Sequence, residues 1–101
     1  MSGDIFKDNK IIWNAASWLF NGVVEMLAQN VPDEHLKLSL QEIVDENLGT
    51  LKLDDFTPEE QKKIYNTLIT IVIPRYRAME FNQPQFKPDA IKHLNKLKSV
   101  L

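Results

Sequence analysis

Five prolines, at positions 32, 58, 74, 84 and 88, punctuate this chain and constrain its fold more than any other feature. Proline lacks an amide hydrogen and restricts the residue before it, so a helix can begin on one but is kinked or ended by one in its interior. Between the prolines, apolar residues recur at steps of three and four, the spacing of a single buried helix face. Prolines and stripes together predict four to five amphipathic helices.

The first is expected to begin near Asp8 or Asn9, either able to cap a first turn, and to run to about Asn30. Ile12, Ala15, Ala16, Leu19, Val23, Met26 and Leu27 form its stripe. Trp13 and Trp18, five positions apart, cannot share one narrow face, so Trp18 is expected in the core and Trp13 at its edge, open to a partner. Gly22 costs about 1 kcal/mol relative to alanine inside a helix, which marks either a close crossing or a tolerated defect. Val31-Pro32 ends the pattern.

A second helix starts at Pro32, Asp33 and Glu34, buries Leu36, Leu40, Ile43, Val44 and Leu48, and stops at Gly49, a ready left-handed cap. Residues 50–56 read as a connector dropping Leu51, Leu53 and Phe56 onto the core, with alternation too short to require a strand. Thr57-Pro58-Glu59-Glu60 is the sharpest local signal: threonine caps, proline fits the first helical position and Glu60 returns a bond to the cap amide. The third helix then buries Ile64, Leu68, Ile71 and Val72, with Tyr65 and Ile69 flanking. Pro74 must kink or break it, and a kink followed by a short helical stretch to about Phe81 is the expectation. After a loop over 82–87, a last helix from Pro88 to about Ser99 buries Ile91, Leu94 and Leu97. The expected fold is all-α: one domain spanning residues 1–101, a compact bundle of four to five helices.

The 101 residues leave room for one core, and 44% apolar content is enough to fill it. The absence of cysteine removes disulfides, thiolate metal sites and cysteine nucleophiles. The polar start, MSGDIFKDNK, and the lack of any apolar run near 20 residues point to no secretory signal, no membrane anchor and a cytoplasmic location.

Net charge is −2, but it is unevenly spread. Ten acids against Lys37 and Lys52 leave residues 25–60 at −8, while eight bases against Glu80 and Asp89 leave residues 61–101 at +6. The acidic stretch is either a solubility surface or a negative field that draws in a basic partner. In the second case the contact residues are Glu42, Asp45, Glu46, Asp54, Asp55 and Glu59, with Trp13 or Tyr65 as aromatic anchors.

Catalysis has little to work with. His35 and His93 share no ligand spacing, so no metal or other cofactor is expected. The paired acids Asp54-Asp55 and Glu59-Glu60 sit where caps and first turns favour negative charge, and adjacent helix residues point apart. Serines 2, 17, 39 and 99 lack a nucleophile elbow, and the three glycines form no phosphate loop. An enzyme is therefore not expected. Arg75, Arg77, Lys92 and Lys96 could touch phosphate, but a pI near 5.6 and the lack of a recognisable motif weigh against nucleic acid.

The stretch LQEIVDENLGTLKLDDFTPEEQKKIYNTL, residues 40–68, is a leucine-rich helix ending in glycine, an acidic connector and a capped helix. It resembles small helical bacterial immunity proteins of the colicin and contact-dependent growth inhibition type. The resemblance covers about a third of the chain and carries no fixed site motif. It implies a cytoplasmic, non-enzymatic protein that binds and blocks a toxin domain, often a nuclease with a basic cleft. A helical adaptor for a housekeeping protein would use the same surface.

Overall fold

Residues 2–101 are described by a computed structural model. Residues 2–16 are not helical. β1 (Ser2–Lys7) and β2 (Lys10–Ala16) form an antiparallel hairpin, and β3 (Thr50–Lys52) lies parallel to β1 on its other side, giving the order β2-β1-β3. Among the described residues five α-helices accompany the sheet: α1 (Ser17–Asn30), α2 (Glu34–Asp45), α3 (Pro58–Thr67), α4 (Ile73–Ala78) and α5 (Lys87–Val100). The fold is α+β, and the expectation of an all-α bundle is corrected.

The hairpin forms because Asp8 (φ 54°) and Asn9 (φ 61°) both adopt the left-handed conformation. Two such residues between paired Lys7 and Lys10 make the tight turn whose twist matches the strands, and Asp and Asn tolerate it better than most side chains. Gly3 and Ile5 of β1 and Trp13 and Ala15 of β2 point inward. The register slips between Ile5, opposite Trp13, and Phe6, opposite Ile11, so Ile12 is the extra residue of a β-bulge. Phe20 of α1 lies over Gly3 so closely that a Cβ there would collide with its ring.

The two tryptophans exchange their expected places. Trp13 is 4% exposed and its indole Nε1 donates to the His93 carbonyl of α5 at 2.8 Å. Trp18 is 47% exposed at the start of α1. Trp13 is therefore a core residue and does not serve as a partner anchor.

α1 is the hub, packing on the sheet on one side and on α2 and the α3–α4 region on the other. Leu19, Phe20, Val23, Val24, Leu27 and Ala28 are all buried along it. They join Leu36 and Leu40 of α2, Ile64 of α3, and Leu94 and Leu97 of α5 in one contiguous core. Burying each such leucine or isoleucine stabilises the fold by about 1.5–3 kcal/mol. Gly22 does mark a close crossing, since a Cβ there would strike the Tyr76 hydroxyl of α4.

The capping box at Thr57 and Glu60 is present, with Pro58 opening α3. Pro74 neither stops the chain nor leaves a gap: a π-helical turn at Leu68–Val72 widens the backbone just ahead of it, and α4 follows directly. α4 ends at Ala78, three residues short of the expected Phe81, where Met79 turns extended.

Candidate protein-binding groove

Between α2, β3 and the start of α3 runs a groove of about 400 Å³. His35, Ser39 and Ile43 of α2 form one wall, and Thr50 and Lys52 of β3 form another. Leu48, Asp55, Phe56 and Glu60 complete it.

Its apolar floor follows from how α2 ends. The Leu48 amide donates to the Ile43 carbonyl at 3.0 Å and the Asn47 amide to the Val44 carbonyl at 3.1 Å, with Asn47 left-handed at φ 51°. This is a Schellman cap, which brings the residue after the left-handed position against the one five before it. Those residues are Leu48 and Ile43, and Leu48 remains 57% exposed. Asn47, not Gly49, therefore caps the helix. Gly49 (φ 70°) turns the chain into β3, so residues 50–52 form a strand where only a connector was expected.

Glu60 is fixed at the groove's end. Its Oε1 accepts from the Thr57 amide at 2.9 Å, the Thr57 hydroxyl accepts from the Glu60 amide at 3.2 Å, and Oε2 lies 3.5 Å from His35 Nδ1. The Thr57 backbone bond is the largest of the influences that hold its carboxyl below the ordinary range.

The candidate acids divide in two. Glu42 and Glu46 continue the line of His35 and Ser39 along α2 by steps of three and four, so they rise on the groove's flank. Asp55 lines the groove and Glu59 opens α3 beside Glu60. None of these four has an ion pair or a side-chain hydrogen bond among the described residues, and all four are exposed. Asp45 lies on the opposite flank of α2, one turn beyond Gln41, whose amide it accepts at 3.1 Å. Asp54 is committed to the hairpin turn, accepting from the Asp8 amide at 3.1 Å and the Asn9 amide at 3.3 Å. Tyr65 is not in the groove: Lys7 Nζ sits 5.2 Å from its ring centre and its hydroxyl meets Gln61. Asp33, not a candidate, pairs with Lys63 at 3.6 Å.

The acids are legible in the sequence, but the walls of the groove are not. His35, Ser39, Ile43, Thr50, Lys52 and Phe56 carry no site motif, and Leu48 reads as a core residue. The available signal was Asn47 followed two residues later by Gly49, two left-handed formers that turn the chain out of line with α2.

A second exposed feature is aromatic. Trp18 lies 5.9 Å from Phe86 and 6.4 Å from Phe81, ring centre to ring centre, around an open hollow also lined by Asn82 and Gln83. Among the described residues, no three His, Asp or Glu side chains converge to hold a metal ion, and no helix is long and apolar enough to cross a membrane. Comparisons with protein-family models, curated proteins and solved structures find no match to the chain.

Proposed function

We propose that this domain is a stoichiometric protein inhibitor of the immunity type, which binds a basic toxin domain at the groove between α2 and β3. One observation carries the reading: four exposed carboxylates without a partner among the described residues stand at or beside a groove floored by Ile43, Leu48 and Phe56, with Asp55 in its lining, Glu42 and Glu46 on the adjoining flank of α2 and Glu59 at the start of α3, against one lining lysine, Lys52. Unpaired carboxylates around exposed apolar side chains suit a basic protein, because the charges steer encounter while the floor supplies the buried contact. The same charges on a solubility surface would need no groove between them. The resemblance of residues 40–68 to immunity proteins supports the same role, since those residues supply Glu42, Glu46, Asp55 and Glu59.

The test is association kinetics against a basic nuclease toxin domain, taken from a neighbouring open reading frame where one is found. The triple variant E42K/E46K/D55K is expected to slow association at least tenfold at low salt, while D45K, on the far flank, leaves it within about twofold. Equal effects of the two, or none from either, would remove the groove from the binding surface.

A further inference from the structure

β3 is an outer strand, and its open edge runs along the groove. In a parallel pair, alternate residues turn their backbone groups to the neighbouring strand and the residues between turn theirs away. The Asp4 amide donates to the Gly49 carbonyl at 3.0 Å, and Ile5 stands in register with Leu51. Gly49 and Leu51 therefore face β1. Thr50 and Lys52 face the opposite way, and both line the groove. The Lys52 carbonyl begins the 3₁₀ turn Leu53–Asp55. This leaves the Thr50 amide, the Thr50 carbonyl and the Lys52 amide as a short row along one wall, unpaired among the described residues.

We infer that the groove takes an extended segment of the partner as a fourth strand beside β3, held by these three backbone groups. This rests on the protein-binding role proposed above. A strand docked there sits about 4.8 Å from β3 and turns its side chains alternately to opposite faces. One set meets Ile43, Leu48 and Phe56, and the other faces the rim carboxylates Asp55, Glu42 and Glu46. The matching segment alternates apolar with lysine or arginine residues. A second copy of this chain does not fit, because edge-to-edge pairing of two β3 strands would set the acidic rims against each other.

The probe is an acetylated, amidated Lys-Val-Lys-Val-Lys-Val-Lys peptide, titrated at low salt into isotope-labelled protein, with oligolysine of equal charge as the comparison. Two analogues carry N-methyl groups on the valines or on the interior lysines, which removes the amides of one strand edge while keeping every side chain. The expected result is at least tenfold slower hydrogen exchange at the Thr50 and Lys52 amides, and at least tenfold weaker binding by one analogue only. Binding that depends on Glu42, Glu46 and Asp55, but leaves both amides unprotected and both analogues unimpaired, would overturn strand pairing and leave the acidic groove standing. Failure of both the Lys-Val peptide and oligolysine to bind would overturn the groove reading along with it.

Discussion

The indole of Trp13 and the main-chain carbonyl of His93, eighty positions apart in sequence, meet at 2.8 Å and tie the N-terminal hairpin to the last helix. Trp13→Phe keeps most of the buried ring but removes the donor. It is expected to destabilise the fold by about 1 kcal/mol, read as a lower midpoint in urea unfolding. Trp18→Phe, on the exposed side of α1, is expected to shift that midpoint much less.

Gly22 and Tyr76 define a second contact that an otherwise favourable change would break. Glycine to alanine in a helix interior ordinarily stabilises by about 1 kcal/mol. Here the new methyl meets the Tyr76 hydroxyl, so Gly22→Ala is expected to destabilise by about 1–3 kcal/mol. Adding Tyr76→Phe takes away the blocking oxygen, and the double variant should recover most of the loss in a double-mutant cycle. Independent, additive effects would show that the hydroxyl is not the obstacle.

Asp54 is expected to matter to folding and Asp55 to binding, although they are neighbours. Asp54→Ala frees the Asp8 and Asn9 amides, and their hydrogen exchange should quicken while association with a basic partner changes little. Asp55→Ala should do the reverse. Identical behaviour of the two variants in both measurements would contradict the division of labour.

The Glu60 carboxyl is held below its ordinary value of 4.5, first by the Thr57 amide. A depressed folded value means the unfolded chain takes up the proton first as pH falls. The stabilisation is thus complete above about pH 4.5 and is lost as acid titrates the folded carboxyl. Glu60→Gln is expected to flatten the acid limb of the stability profile in that window, with little change in its slope near neutrality. Thr57→Ala, which removes the cap, should cost about 1 kcal/mol at neutral pH.

Helices α2, α3 and α5 were legible because each has a local start signal: Asp33 accepting from the His35 amide, Thr57 with Glu60, and Pro88 at the head of α5. The hairpin was not, for two physical reasons. Asp8 and Asn9 belong to the residue types that cap helices and also to those that tolerate a left-handed turn, so their identity does not decide between the two. The bulge at Ile12 then breaks the two-residue alternation of β2, and the spacing of Ile12, Ala15 and Leu19 runs on into the true stripe of α1. β3 is too short to carry a period, and its existence depends on β1 arriving from 46 positions away.

The site was half legible for similar reasons. Excess acid between residues 25 and 60 is plain in the sequence, but its partition is not. Asp45 leaves the groove because of the phase of α2, fixed by which face buries Leu36, Leu40 and Ile43. Asp54 is withdrawn by a turn made of residues 8 and 9, a contact no local pattern announces. Tyr65 is likewise occupied by Lys7 from the far end of the hairpin.

Because the strand on the far side of β1 comes from residues 50–52, the sheet can be completed only after α1 and α2 have been synthesised. The hairpin leaves the ribosome first and waits for two helices to follow before its outer edge is covered, an interval of roughly several seconds at ordinary translation rates of about 5–20 residues per second. During that wait the nascent protein carries a bare strand edge beside an unfilled apolar face, the state in which chaperone capture or misassembly with a neighbouring chain is most favoured.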